Sequence, residues 1–159
     1  MKIRVGIGYD VHRLEEGLPL VIGGVKLNHT KGWVAHSDGD VLIHAIIDAL
    51  LGAAKLRDIG YQFPDNSDDY LNIDSRKLLA RTAELVRSAG WTIGNVDCTL
   101  VMQRPKISPH VPKMVSELAK AMSIDPEDVS VKASTSEKLG FEGREEGATA
   151  YAVALLQKE

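Results

Sequence analysis

The chain has 159 residues, 44% of them hydrophobic and 26% charged, with a formal net charge of -3. That length suits one domain, residues 1–159, with a real core, and the charge supplies no basic field for nucleic acid or an anionic membrane. The single cysteine, Cys98, excludes an intrachain disulfide framework and a multi-cysteine metal site and suits a reducing cytoplasm, and no apolar run reaches transmembrane length.

Ile3, Val5, Ile7 and Tyr9 alternate with Arg4, Gly6, Gly8 and Asp10. This is the period of a half-buried strand, without the continuous apolar core of a signal peptide. The two glycines strip one face of side chains, so a backbone or a ligand can approach there. At the strand end, Asp10 and His12 point the same way if the chain stays extended. A carboxylate beside an imidazole is a candidate pair of metal ligands; a surface turn with a salt link is the plainer alternative. Residues 20–27 predict a β-hairpin turning at Gly23-Gly24, and residues 28–33 a loop in which His29 is exposed.

A helix is predicted over 38–54, with Ser37, Asp38 and Asp40 as candidate caps. Val41, Leu42, Ile43, Ala45, Ile46, Ile47, Ala49, Leu50 and Leu51 make it apolar nearly all round, which marks a buried helix. Asp40, His44 and Asp48 interrupt that pattern at i, i+4 and i+8, with Ser37 in the same sector. Such a stripe is costly inside a protein unless its groups are paired or bind something. His44 is either a core histidine satisfied by Asp40 or Asp48, or a ligand.

Residues 56–69 are irregular and acidic, broken by Gly60 and Pro64. They form a solvated loop, or a flap that brings polar groups to a polyol or phosphate; Phe63 favours the flap, because an aromatic in such a loop packs on something. Asp74 or Ser75 caps a second helix to about Ala89, ahead of Gly90. Val96, Cys98, Leu100 and Met102 alternate as a strand within 91–103, with Cys98 as core filler rather than nucleophile. After a basic loop, Arg104-Pro105-Lys106-Ile107, Ser108-Pro109 starts a third helix. A short strand, 129–133, delivers the run Ser134-Thr135-Ser136-Glu137-Lys138. Residues 148–156 read as a strand, with a helix as the alternative. The order predicts an α/β, α+β-like sandwich: a mixed four-stranded sheet with helices on one face plus the hairpin.

Asp10, His12 and His44 together make a candidate catalytic zinc site with a fourth position open for a substrate oxygen. Ser134, Thr135, Ser136 and Lys138, with His36 and Ser37 at a helix start, suit phosphate, and Glu137 suits a hard divalent ion. No P-loop and no dinucleotide-binding glycine motif is present.

The runs GYDVHRL, IGGV, AHSDGDVLIHAIIDALLGAA, DIGYQFPD, GNVDCTL, PKISPH and KASTSEKLGFEGREEG resemble, in order and spacing, the 2-C-methyl-D-erythritol 2,4-cyclodiphosphate synthases. The resemblance covers nearly the whole chain, and AHSDGD-x3-H with an upstream DVH is its most specific part. It implies a lyase of the non-mevalonate isoprenoid pathway. The implied reaction converts 4-diphosphocytidyl-2-C-methyl-D-erythritol 2-phosphate to the 2,4-cyclodiphosphate with release of CMP. This is an intramolecular phosphoryl transfer, in which a protein mainly positions groups and neutralises charge.

The resemblance implies zinc on Asp10, His12 and His44, and magnesium or manganese on Glu137. It implies transition-state contacts from His36 and Thr135, with Ser37 touching substrate. Asp58, Ile59, Gly60, Phe63, Pro64, Asp65, Asn66 and Ser67 match the erythritol segments. Met102, Gln103, Arg104, Pro105, Lys106, Ile107 and Ser108 match the cytidine loop. Ser134 to Glu137, including Ser136, match the diphosphate segment, and Phe141 and Arg144 match further substrate positions. Ser134 and Ser136 stand where the family carries threonines, which keeps the hydroxyls. A cytoplasmic homotrimer with active sites between subunits is also implied, with an isoprenoid diphosphate as a possible ligand on the three-fold axis. The competing readings are another zinc phosphohydrolase, which has no use for the cytidine loop, and a non-enzymatic isoprenoid-diphosphate binder.

Overall fold

The first strand, β1 (Lys2–Glu16), and the last, β7 (Gly147–Lys158), pair antiparallel from Lys2↔Lys158 to Arg13↔Gly147. The computed structural model describes residues 1–159. Both strands present small residues to helix α1 (Val41–Ala53). A Cβ on Gly8 would stand 1.8 Å from the Ala45 carbonyl oxygen, and one on Gly6 2.1 Å from that of Ala49. The helix therefore rests on bare strand backbone, and buried Ala148, Ala150, Ala152 and Ala154 of β7 continue the small-residue surface.

All of α1 except Asp48 and Gly52 is buried, as its apolar circumference predicts. Leu42, Ile43, Ile46, Ile47, Leu50 and Leu51 are fully buried, each contributing roughly 1.5–3 kcal/mol against exposure. That offsets the cost of seating a polar stripe on the same helix.

β5 (Thr92–Val101) runs antiparallel along the other edge of β7. Helix α4 (Val111–Met122) then crosses over so that β6 (Val129–Ser134) lies parallel to β5. Helix α3 (Ser75–Ser88), capped by Asp74, packs between α1 and α4. The hairpin β2 (Leu20–Ile22) and β3 (Val25–Leu27) forms as predicted. Two short helices, α2 (Ile59–Gln62) and α5 (Gly140–Gly143), punctuate the loops.

Three expectations change. The sheet has five strands, not four, because β4 (Lys31–Val34) pairs with residues 13–16 of β1 inside the stretch read as a loop. Its four residues, KGWV, are too few to display a period, and its glycine is sterically required: a Cβ on Gly32 would meet the Pro19 carbonyl at 2.0 Å. The full order is β4-β1-β7-β5-β6. β1 consequently continues past Asp10 and His12 to Glu16 rather than ending at them. His29 is half-buried rather than exposed. Residues 148–156 are strand, not helix, since β7 is bonded on both edges. No helix is long and apolar enough to cross a membrane.

Candidate active site

β1 places Asp10 and His12 two residues apart, on the face that α1 covers, and α1 brings His44 down onto them. Asp10 Oδ2 lies 2.9 Å from His12 Nδ1 and 3.1 Å from His44 Nδ1. His12 Nδ1 is buried yet makes no hydrogen bond, because the carboxylate is close but off the line a ring N–H would take. One ligand atom from each residue falls within 4.8 Å of the other two. For nitrogen and oxygen donors about 2.0–2.1 Å from a tetrahedral ion, ligand atoms stand roughly 3.3 Å apart. The donor set, its spacing and the orphaned nitrogen therefore fit a divalent ion.

Burial raises the Asp10 carboxyl, but His12 and His44 more than reverse this and leave it below its ordinary value. Burial pulls His44 down, and Asp10 outweighs it, so its imidazole sits above the ordinary value. Both shifts describe a carboxylate and an imidazole that favour each other's charged forms.

The other members of the stripe on α1 serve the scaffold. Asp40 is fully buried and accepts from Gly23 N at 2.9 Å, Gly24 N at 2.7 Å and, as the helix cap, Ile43 N at 3.1 Å. Burial and the neighbouring Asp38 push its carboxyl up to about 6, against three N–H donors that favour the ionised form. Asp48 accepts from Ile59 N at 2.8 Å and so ties the flap to α1. Neither hydrogen-bonds His44, whose ring meets Asp10 on one side and Ser75 Oγ, 2.9 Å from Nε2, on the other.

A cleft of 490 Å³ opens beside Asp10, His12 and His44. Its walls include His36 and Ser37 before α1, and Ile59, Gly60, Phe63 and Asp65 from the flap. Phe63 is buried edge-on against Tyr70, with ring centroids 5.7 Å apart, which explains the aromatic in an acidic loop. His36 Nε2 donates to the Ser67 carbonyl at 2.8 Å. Asp58 caps α2 through Tyr61 N rather than lining the cleft, and Pro64, Asn66 and Ser67 also lie outside its walls.

A second cleft, of 220 Å³, lies where β5 and β6 end side by side. Met102, Gln103, Pro105, Lys106, Ile107 and Ser108 line it opposite Ser134 and Thr135, so the basic loop and the hydroxyl run meet. This is the carboxyl end of a parallel strand pair, the usual place for a ligand on such a sheet. Arg104 instead pairs with Glu145 at 3.1 Å. Ser136 Oγ donates to the Leu139 carbonyl, and Thr135 Oγ1 accepts from Glu137 N. The two clefts share no lining residue within one chain. Phe141 borders a third, with Val11, His12, Arg13, Glu146 and Gly147, while Arg144 pairs with Glu146 at 2.7 Å.

The YgbB family profile matches residues 3–157. The chain belongs to the YgbB family. A relative from Bacteroides thetaiotaomicron, 2-C-methyl-D-erythritol 2,4-cyclodiphosphate synthase, is 55% identical over the whole of both chains. One of the same name from Porphyromonas gingivalis is 60% identical over 96% of this chain and 94% of its own. Among solved structures, the bifunctional IspDF from Campylobacter jejuni superposes with a TM-score of 0.95 at 40% identity. It matches 99% of this chain, which spans 43% of that longer one. IspF from Plasmodium falciparum, in a CDP complex, gives 0.86 at 36% identity, over 99% of this chain and 97% of its own.

Within this YgbB-family site, sequence reasoning missed Ser75, Asp38 and Tyr70 as neighbours of the cleft and its ligands. Ser75 Oγ donates to Asp38 Oδ1 at 2.5 Å, and Ser75 N donates to Asp38 Oδ2 at 2.9 Å. The only signal for Ser75 and Asp38 was chemistry suited to capping, which describes one helix end and says nothing of a neighbour 37 residues away, and Tyr70 carried no signal at all.

Proposed function

We infer that this chain closes a cyclic diphosphate, converting 4-diphosphocytidyl-2-C-methyl-D-erythritol 2-phosphate to 2-C-methyl-D-erythritol 2,4-cyclodiphosphate with release of CMP. The observation that carries this reading is the convergence of Asp10, His12 and His44 beside a cleft, in a chain matched end to end by synthases of that name. In the step, an oxygen of the 2-phosphate attacks the β-phosphorus. The bond from that phosphorus to the CMP oxygen breaks, and CMP leaves with the electron pair.

Zinc on Asp10, His12 and His44 would supply Lewis acidity toward a phosphate oxygen. The rest is positioning. His36, with its ring fixed by the Ser67 carbonyl, and Thr135 stabilise the transition state, and Ser37 contacts substrate at the start of α1. The flap from Asp58 to Ser67 holds the erythritol, and the loop from Met102 to Ser108 holds cytidine. Ser134 to Glu137 bind the diphosphate, with Glu137 taking magnesium or manganese.

The metal centre and the cytidine cleft must serve one substrate, yet they are separate within a chain. A homotrimer with active sites between subunits resolves this. The sheet face away from the helices supports it: Ile3, Val5, Ile7, Tyr9, Val11, Tyr151 and Val153 are all exposed there. Ile7 at 73% and Val5 at 65% exposure, in mid-strand, make a contiguous apolar patch of the kind that marks an interface. In such a trimer Phe141 and Arg144 would form the pocket for an isoprenoid diphosphate on the axis; added geranyl diphosphate is expected to raise the melting temperature, and an unchanged value removes that ligand.

The decisive experiment follows CMP release from the cytidylyl substrate with and without a chelator. CMP without free inorganic phosphate, abolished by the chelator and restored by zinc, is expected. Release of inorganic phosphate instead would move the chain to the hydrolases.

A further inference from the structure

An imidazole can ligate an ion through Nδ1 only when its remaining proton sits on Nε2. The hydrogen bonds around His44 decide where that proton is. Asp38 presents a carboxylate, which accepts only, so the one hydroxyl proton of Ser75 is committed to Asp38 Oδ1 at 2.5 Å. Ser75 Oγ can then meet His44 Nε2, 2.9 Å away, only by accepting from it. Ser37 Oγ, 3.3 Å from the same nitrogen and already taking Gly39 N, adds a weaker contact. Nε2 therefore keeps its proton, so the ring position left to His44 for an ion is Nδ1, whose contact with Asp10 Oδ2 at 3.1 Å the ion would replace.

We propose that Ser75 is a positioning residue of the metal centre, relaying the charge of Asp38 to His44 Nε2 and so holding His44 in the tautomer that binds an ion through Nδ1. Ser75 is fully buried at the first position of α3, and His44 is 8% exposed, so water does not compete with the relay. Asp38 lies in the loop before α1, its own backbone N–H bonded to the Ile73 carbonyl at 3.2 Å. The relay thus joins three chain segments: the loop before α1, the start of α3, and α1 itself. Outer hydrogen bonds of this kind orient a ligating imidazole and raise its basicity.

The assignment rests on the metal reading of Asp10, His12 and His44, and the test separates the two. Ser75→Ala keeps the bond from residue 75 N to Asp38 Oδ2, which anchors α3, and removes only the relay. Zinc affinity, measured by competition with a chromophoric chelator, is expected to fall about 10–100-fold in Ser75→Ala, with recovery in Ser75→Thr. In zinc-loaded wild-type protein, long-range proton–nitrogen correlations should show His44 protonated at Nε2 and metal-bound at Nδ1. Unchanged affinity in a folded Ser75→Ala, or the opposite tautomer in the wild type, overturns the role of Ser75 and leaves the metal site standing. A wild-type chain that takes up no zinc overturns both. Should Ser75→Ala fail to fold, the wild-type tautomer decides alone.

Discussion

At the scale of single residues, the site is made by groups whose neighbours leave them one job. His44 has Asp10 on one ring nitrogen and Ser75 on the other, so its place on a buried helix is explained without Asp40 or Asp48. His44→Ala should lose zinc, read by elemental analysis, together with CMP release; zinc retained at wild-type content would refute the ligand set. Asp40 is different, since its removal strands the N–H groups of Gly23, Gly24 and Ile43 inside the protein. Asp40→Ala should cost about 2–4 kcal/mol in denaturant unfolding, from a lost cap and unsatisfied donors. The i, i+4, i+8 spacing of Asp40, His44 and Asp48 was legible in the sequence, but their partners were not. Spacing on one helix cannot reveal a hairpin turn 16 residues away or a serine 31 residues away.

Among the elements, the long periodic ones could be read directly and the short ones could not. α1, α3 and α4 follow their apolar faces, and β5 follows its alternation. β4 has four residues and is a strand only because residues 13–16 of β1 need a partner. The flap is tied to α1 through Asp48 and Ile59 N. Asp48→Ala should loosen it and raise KM about tenfold, with a smaller change in kcat, equivalent to roughly 1.4 kcal/mol of lost ordering. Helices α3 and α4 are linked by Arg76, which pairs with Asp74 at 2.7 Å and Glu117 at 2.8 Å. Arg76 holds the Asp74 carboxyl below 3.8, so its contribution is full above that pH and is lost as pH falls through the lower folded value. Asn caps a helix as well as Asp, so Asp74→Asn isolates the charge. Its melting temperature should trail the wild type at pH 7, and the gap should close as the pH falls through the lowered value of the Asp74 carboxyl.

For the whole molecule, the exposed apolar face of the sheet is the feature that one chain leaves unexplained. Ile7 lies near its centre, paired with Val153 across the β1–β7 ladder. If this face forms the proposed homotrimer, Ile7→Lys should leave monomers in sedimentation velocity and abolish CMP release while leaving Asp10, His12 and His44 in place. A trimer that survives this change would mean that the sheet face is not the interface. The pattern of alternation already showed which residues of β1 share a face, but it could not say that the glycine face is the one that packs inward. Small residues facing a helix carry no hydrophobic signal of their own; their meaning lies in the carbonyls of Ala45 and Ala49, which occupy the space a Cβ would need.

That contact of backbone on backbone works as a gauge block. Side chains that separate most helices from sheets can change rotamer and let the layers breathe, but here the nearest atoms at Gly6 and Gly8 are helix backbone and the Ala53 Cβ, which has no rotamer to change. Asp10 and His12 ride on one plate and His44 on the other, so the gap between them is set by hard contact rather than by any ion that binds there. The aperture is machined before anything enters it, and an ion too wide must bend the plates, whereas one of the right radius needs no adjustment from the protein.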